Sequence, residues 1–151
     1  MRYKYIIEFI VYAGSVSMAV IFNAMGPMLP TLMEEFKITF TQAGLLSSIV
    51  PCILGVFALI SGAVVGKLGL KTTSCLGLTV MSIGCILSGL ADTYTEMLIS
   101  RVIAAIGAGL FFPMMGAIIM LWFKDNELVV VNSINFSGSA VGGALVLVIA
   151  P

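Results

Sequence analysis

Charged residues punctuate this chain at long intervals. Residues 9–33, 38–66, 72–91, 102–123 and 128–151 contain none, and each run is solidly apolar. A helix needs about 20 mostly apolar residues to cross the hydrocarbon core of a bilayer, and these runs have that length. The pattern predicts five membrane-spanning helices with approximate limits 6–30, 43–65, 72–91, 97–122 and 128–150. Strands are not expected, because a membrane-barrel strand alternates polarity over about ten residues and these runs do not alternate. The connections are short polar patches: Glu34, Glu35 and Lys37; Lys67 and Lys71; Asp92 and Glu96; Lys124, Asp125 and Glu127. Short connections make successive helices antiparallel neighbours.

Composition removes the competing classes. Of 151 residues, 60% are hydrophobic and 9% charged, and the mean hydropathy is +1.18. A soluble domain carries about 25% charge, so a soluble enzyme and a disordered tail are excluded. The formal net charge of zero gives no footprint for a phosphate backbone, so no nucleic-acid partner is expected. The evident partner is membrane lipid. The absence of histidine removes the commonest general base and metal ligand. No nucleotide-binding loop or paired acid motif replaces it, so neither enzymatic activity nor a cofactor or metal is expected. Cys52, Cys75 and Cys85 have no metal-ligand or disulfide spacing and read as buried apolar packing residues.

Lys and Arg set the expected orientation. Arg2, Lys4, Lys67, Lys71 and Lys124 fall on one side, and Lys37 on the other. This five-to-one bias predicts a multi-pass protein with a cytoplasmic amino terminus. A cleaved signal is disfavoured: Glu8 interrupts the first apolar run, which then continues well beyond the short apolar core of such a peptide.

Several motifs carry a resemblance. The second connection reads Gly62-Ala-Val-Val-Gly66-Lys67-Leu-Gly69-Leu-Lys71. It resembles the loop signature of the major facilitator superfamily, similar to G-x-x-x-D-[RK]-x-G-[RK]-[RK], matching at Gly62, Lys67, Gly69 and Lys71. Gly66 stands at the acid, and Leu70 at the first closing basic position. The fourth span, Arg101-Val-Ile-Ala-Ala-Ile-Gly107-Ala-Gly109-Leu-Phe-Phe-Pro113, resembles the family's R-x-x-x-G-x-G pattern with a later proline. Ala105 stands at the first glycine. The first span ends Asn23-Ala-Met-Gly26-Pro27-Met-Leu29-Pro30, similar to the family's LP ending, and the fifth holds the small-residue face Gly138-Ser-Ala-Val-Gly142-Gly143. The family is built from two six-span halves of inverted three-span repeats. The resemblance therefore implies that these five spans are most of one half, the amino-terminal portion of a secondary transporter in the cell (inner) membrane. It further implies a small-molecule substrate and a partner in the missing carboxy-terminal half. Gly62, Lys67, Gly69 and Lys71 become the conformational-switch loop.

Individual residues refine this reading. Arg101 lies five residues after Glu96, about 7 Å into its helix at 1.5 Å per residue. It reads either as a snorkelling interface residue or as a cavity-facing charge for an anionic substrate or proton coupling. Glu8 reads as an interfacial acid beside Lys4 or as a proton-linked carboxylate. Asn23 sits well inside the first span, and its amide needs a partner across helices or in a cavity. Asn132, Asn135 and Ser139 share one helical face, which either lines an aqueous path or bonds helices together. The Gly62/Gly66 and Gly138/Gly142 pairs allow close backbone approach, and Gly107, Gly109 and Pro113 read as packing residues. The ten methionines read as apolar filler. A different class, a small oligomeric membrane assembly or scaffold subunit, also fits five spans without a soluble domain. Single cysteines placed near residues 36, 69, 94 and 126, in a background without native cysteines, test the orientation. Positions 36 and 94 are expected to label from outside intact cells; labelling of 69 and 126 from outside reverses the assignment.

Overall fold

The computed structural model of the chain describes residues 2–149. Within them lie six helices and no strand: α1 (Arg2–Asn23), α2 (Met25–Phe36), α3 (Phe40–Leu68), α4 (Leu70–Gly89), α5 (Tyr94–Trp122) and α6 (Asp125–Ile149). Five are long and apolar enough to cross a membrane: α1, α3, α4, α5 and α6. The fold is an all-α integral membrane architecture, and large apolar side chains such as Leu59 (86% exposed) and Val148 (83% exposed) cover its outside.

Local chemistry sets the boundaries. Thr39 and Thr93 open α3 and α5 with reciprocal capping boxes. At α5 the Glu96 amide donates to Thr93 Oγ1 at 3.3 Å, while the Thr93 amide donates to Glu96 Oε2 at 3.2 Å. These bonds satisfy amides that a helix start leaves without partners. Only Gly69 separates α3 from α4, at φ 80°, a conformation that a Cβ disfavours. α2 stops at Lys37, whose φ of 51° is left-handed.

The first span differs from the single helix expected over residues 6–30. It breaks after Asn23, resumes at Met25 and runs past Pro30 to Phe36. Pro27 has no N–H to offer the Asn23 carbonyl, and its ring crowds the preceding turn. Ala24 keeps helical angles, φ −59° and ψ −30°. The other helices also depart from their expected limits. α3 and α5 reach 29 residues each, about 44 Å at 1.5 Å per residue, more than the hydrocarbon thickness and enough to demand tilt or projection beyond it. Residue 150, the expected end of the last span, lies outside the described residues.

α5 is the hub of one group, packed against α4 and α3, while α1 packs along α6. Small residues make these approaches possible. A Cβ added to Gly107 would lie 2.6 Å from the Gly77 carbonyl oxygen and 2.7 Å from Met81 Cα, both on α4. One added to Gly109 would lie 2.9 Å from the Leu54 carbonyl oxygen on α3. α1 and α6 run parallel in a constant register: Lys4 meets Glu127, Ser15 meets Gly138 and Ala19 meets Gly142. At Gly142 a Cβ would come within 2.6 Å of Ala19 Cβ.

Two packing expectations are corrected. Gly62 and Gly66 have nothing within 4 Å of an added Cβ, because they face away from the neighbouring helices on a stretch of α3 whose other side buries Ser61. Cys52, Cys75 and Cys85 are free and exposed rather than buried. In a membrane helix an outward position is apolar too, so hydrophobicity does not mark the inside. Gly107→Leu is expected to destabilise the fold by about 1–3 kcal/mol or more, the usual cost of overpacking. Gly62→Ala is expected to leave it unchanged. Thermal unfolding of the purified protein in detergent measures both.

Candidate functional site

The break in α1 and the polar face of α6 flank a cavity of about 410 Å³ between α1, α5 and α6. Five polar residues line it: Ser15 and Asn23 from α1, and Asn132, Asn135 and Ser139 from α6. Apolar side chains, including Met18, Phe112 and Phe136, form the remaining walls together with Pro113, and no charged residue lines it. Such a space, mostly apolar with a few placed polar groups, is typical of small-molecule sites.

The polar wall is tied together across helices. Asn135 is buried. Its Nδ2 donates to Glu8 Oε1 at 2.7 Å and to the Val131 carbonyl at 3.0 Å. Ser15 Oγ lies 3.3 Å from Asn135 Oδ1 and 3.1 Å from the Val11 carbonyl. Asn23 Nδ2 donates to the Ala19 carbonyl of its own helix at 2.8 Å. Glu8 therefore engages Asn135, not Lys4. Lys4 pairs with Glu127 on α6 and lies 4.6 Å from the centre of the Phe123 ring. That pair closes the end of the α1–α6 seam, and Glu127 also accepts from the Lys124 amide at 3.2 Å.

Arg101 stands elsewhere. It lines a second cavity of about 210 Å³ with residues of α1, α2, α4 and α5, including Ile21, Met25 and Cys85. It is 6% exposed, so it is buried in the bundle rather than snorkelling to an interface. Its Nη1 donates to the Ile21 carbonyl at 2.9 Å. That carbonyl belongs to the last turn of α1, where the break removes intrahelical donors. A helix end also carries about half a negative charge, so the broken end of α1 partly compensates the guanidinium. Arg101 Nε is buried without a partner.

The structure thus brings Asn23, Asn132 and Asn135 around one cavity, with Glu8 behind Asn135, and sets Arg101 apart. Gly62 lies within α3, while Lys67, Gly69 and Lys71 lie at the α3–α4 connection, where both lysines are exposed. Pro113 faces the Asn-lined cavity, and Gly138 meets Ser15 and Tyr12 of α1. Sequence reasoning missed Ser15 and the Lys4–Glu127 pair. Ser15 carried a signal: Glu8, Ser15 and Asn23 are seven and eight residues apart, about two turns each, hence on one face of α1. The Lys4–Glu127 pair had none, because it depends on the register of helices distant in sequence. Among the described residues no group of three or more His, Cys, Asp or Glu is placed to hold a metal ion.

Membrane-length helices packed through small residues, with a partly open cavity between three of them, define a polytopic α-helical membrane protein. The model of the Major Facilitator Superfamily matches residues 11–151, and the chain belongs to that family, whose members are transport proteins. Over 95% of its length it is 29% identical to the uncharacterized protein Cj0987c of Campylobacter jejuni, covering 44% of that relative. It is 27% identical over 66% of its length to the uncharacterized MFS-type transporter YhcA of Bacillus subtilis, covering 19%. It is 26% identical over 58% of its length to the quinolone resistance protein NorA of Staphylococcus aureus, covering 22%. The chain matches less than half the length of each of these relatives.

Cysteine substitution tests the cavity. In the transporter that contains this segment, Asn132→Cys and Ser139→Cys are expected to react with a charged, water-soluble thiol reagent. Val141→Cys, exposed on the opposite face of α6 nine residues after Asn132, is expected to react far more slowly. Equal rates at all three positions would mean that the polar face does not border water.

Proposed function

We propose that this chain is the amino-terminal portion of a secondary active transporter for a small solute, and that it does not transport alone. The observation that carries this reading is the partly open cavity between α1, α5 and α6, which gathers the polar residues of two sequence-distant helices within an otherwise apolar wall. A bilayer-spanning protein has little reason to place such groups within its span except to hold helices together or to receive a solute. The uncharged lining favours a solute that is largely apolar or aromatic and carries a few hydrogen-bonding groups. The name of the quinolone resistance relative agrees with that class, since quinolones are aromatic and bear polar groups. The amino terminus is cytoplasmic in this reading, the host is the cell membrane, and no chemical conversion accompanies transport. A carboxy-terminal half supplies the opposing wall, and the Gly62–Lys71 connection serves as the switch loop.

Arg101 does not contact the solute in this proposal, because it borders the other cavity. It acts by holding the broken end of α1 through Ile21, which fixes the wall that carries Asn23. Arg101→Ala in the complete transporter is therefore expected to reduce transport severely at normal membrane abundance. Removing a charge that costs about 2.5–3.5 kcal/mol on insertion scales eases insertion. Arg101→Lys is expected to be intermediate, since an ammonium reaches the same carbonyl without the planar fork. Uptake in reconstituted vesicles, normalised to protein abundance, checks this. Wild-type uptake by the Ala variant removes Arg101 from the mechanism. Saturable uptake by the isolated 151-residue chain favours an oligomer of small subunits instead.

A further inference from the structure

One carboxyl oxygen in the α1–α6 seam has no partner. Glu8 Oε1 accepts from Asn135 Nδ2, while Glu8 Oε2 is buried and unbonded. Glu8 does not line the large cavity, but Asn135 and Ser15 do. Asn135 therefore stands between a carboxyl group and the space where a solute would sit.

A carboxylate offers only acceptors, whereas a carboxylic acid offers one O–H donor. The observed arrangement suits the ionised form: the amide turns its NH₂ to Glu8 and its oxygen to Ser15. When a proton joins Glu8, its O–H needs an acceptor, and an unpaired buried donor costs about 1–3 kcal/mol. A half-turn of the Asn135 amide supplies that acceptor by bringing Oδ1 to Glu8. The same half-turn carries Nδ2 to Ser15 Oγ, whose hydroxyl proton then goes to the Val11 carbonyl 3.1 Å away. Val131 loses its side-chain donor, and because Oδ1 would then face its carbonyl oxygen where Nδ2 now lies at 3.0 Å, the side chain must also tilt away from Val131, whose carbonyl keeps the helical bond from the Asn135 backbone amide.

We propose that protonation of Glu8 reverses the Asn135 side-chain amide and so switches the cavity wall from a hydrogen-bond acceptor to a hydrogen-bond donor. Glu8 is then a positioning residue that acts through Asn135. With Glu8 ionised the wall prefers a solute bearing N–H donors, and with Glu8 protonated it rejects one, so proton and amine-bearing solute compete. This rests on the transport reading of the cavity. The surroundings suit a local switch. Lys4, one turn before Glu8, is engaged by Glu127, and Lys124 lies exposed at the α5–α6 connection. Tyr12 follows one turn later on α1. From α5 the seam receives the apolar Met115, Ile118 and Ile119, with Val131 from α6.

Infrared difference spectra of the purified full transporter, with asparagine carrying carbon-13 in its side chain, test the relay without any solute. On acidification the wild type is expected to gain a carboxylic-acid band and, together with it, a shift of an asparagine amide band. Glu8→Gln is expected to lose both, and Asn135→Ala to keep the acid band without the amide shift. Ethidium, an aromatic cation with amino donors and a fixed charge, probes the consequence. Its affinity is expected to fall about tenfold across the wild-type titration, a usual size for coupled sites. Glu8→Gln is expected to abolish that dependence, and Ser15→Ala, a milder change, to reduce it. An acid band without an amide shift in the wild type overturns the relay, as does a Glu8→Gln protein that still shows both. Paired bands in a protein that never binds ethidium support the relay and count against the transport reading alone.

Discussion

No water reaches the hydrocarbon core of a bilayer, so every backbone and side-chain polar group there needs a partner supplied by the protein. That constraint explains both the regular and the irregular parts of this molecule. It makes every described element a helix. It also decides what happens where a helix is interrupted: the break that Pro27 imposes on α1 frees carbonyl groups, and the Ile21 carbonyl is taken by Arg101 from α5. A buried guanidinium and a broken helix end, each unfavourable alone, offset each other in part through that bond, while Arg101 Nε stays unpaired.

The same constraint shapes the α1–α6 seam. Two helices more than a hundred residues apart in sequence run parallel in constant register, held close by Gly138 and Gly142. Because they approach closely, Glu8, Ser15 and Asn135 share one hydrogen-bonded cluster, and the Lys4–Glu127 pair closes its end. The cavity lies alongside, where α5 stands farther off, bordered by Asn23, Asn132 and Ser139. Packing through small residues and gathering of polar residues are thus one arrangement seen from two sides.

Much of this was legible in the sequence because hydrocarbon imposes a simple code. Gaps between charges marked the spans, and the spacing of Asn132, Asn135 and Ser139 marked one face. What escaped depended on relations between helices. Hydropathy told nothing of which face of α3 meets a neighbour, so Gly62 and Gly66 read as packing residues although they lie open. The three cysteines read as buried because an apolar residue in a membrane helix is at home facing lipid as well as core. Arg101 was recognisable as unusual, but its partner is a backbone carbonyl, which no residue type announces. Glu8 and Lys4 are one turn apart and looked like a pair; the register of α1 on α6 gives each a different partner.

The central claim is that α1 and α6 lie side by side in parallel register around the Ser15–Asn135 contact. Oxidative cross-linking of a Ser15→Cys, Asn135→Cys protein in native membranes, with the other cysteines replaced, tests it most directly. The account predicts rapid disulfide formation between positions 15 and 135, and none between position 15 and a cysteine placed at Val130, on the outward face of α6. Failure of the 15–135 pair to cross-link, with efficient linkage to the outward position, would contradict it.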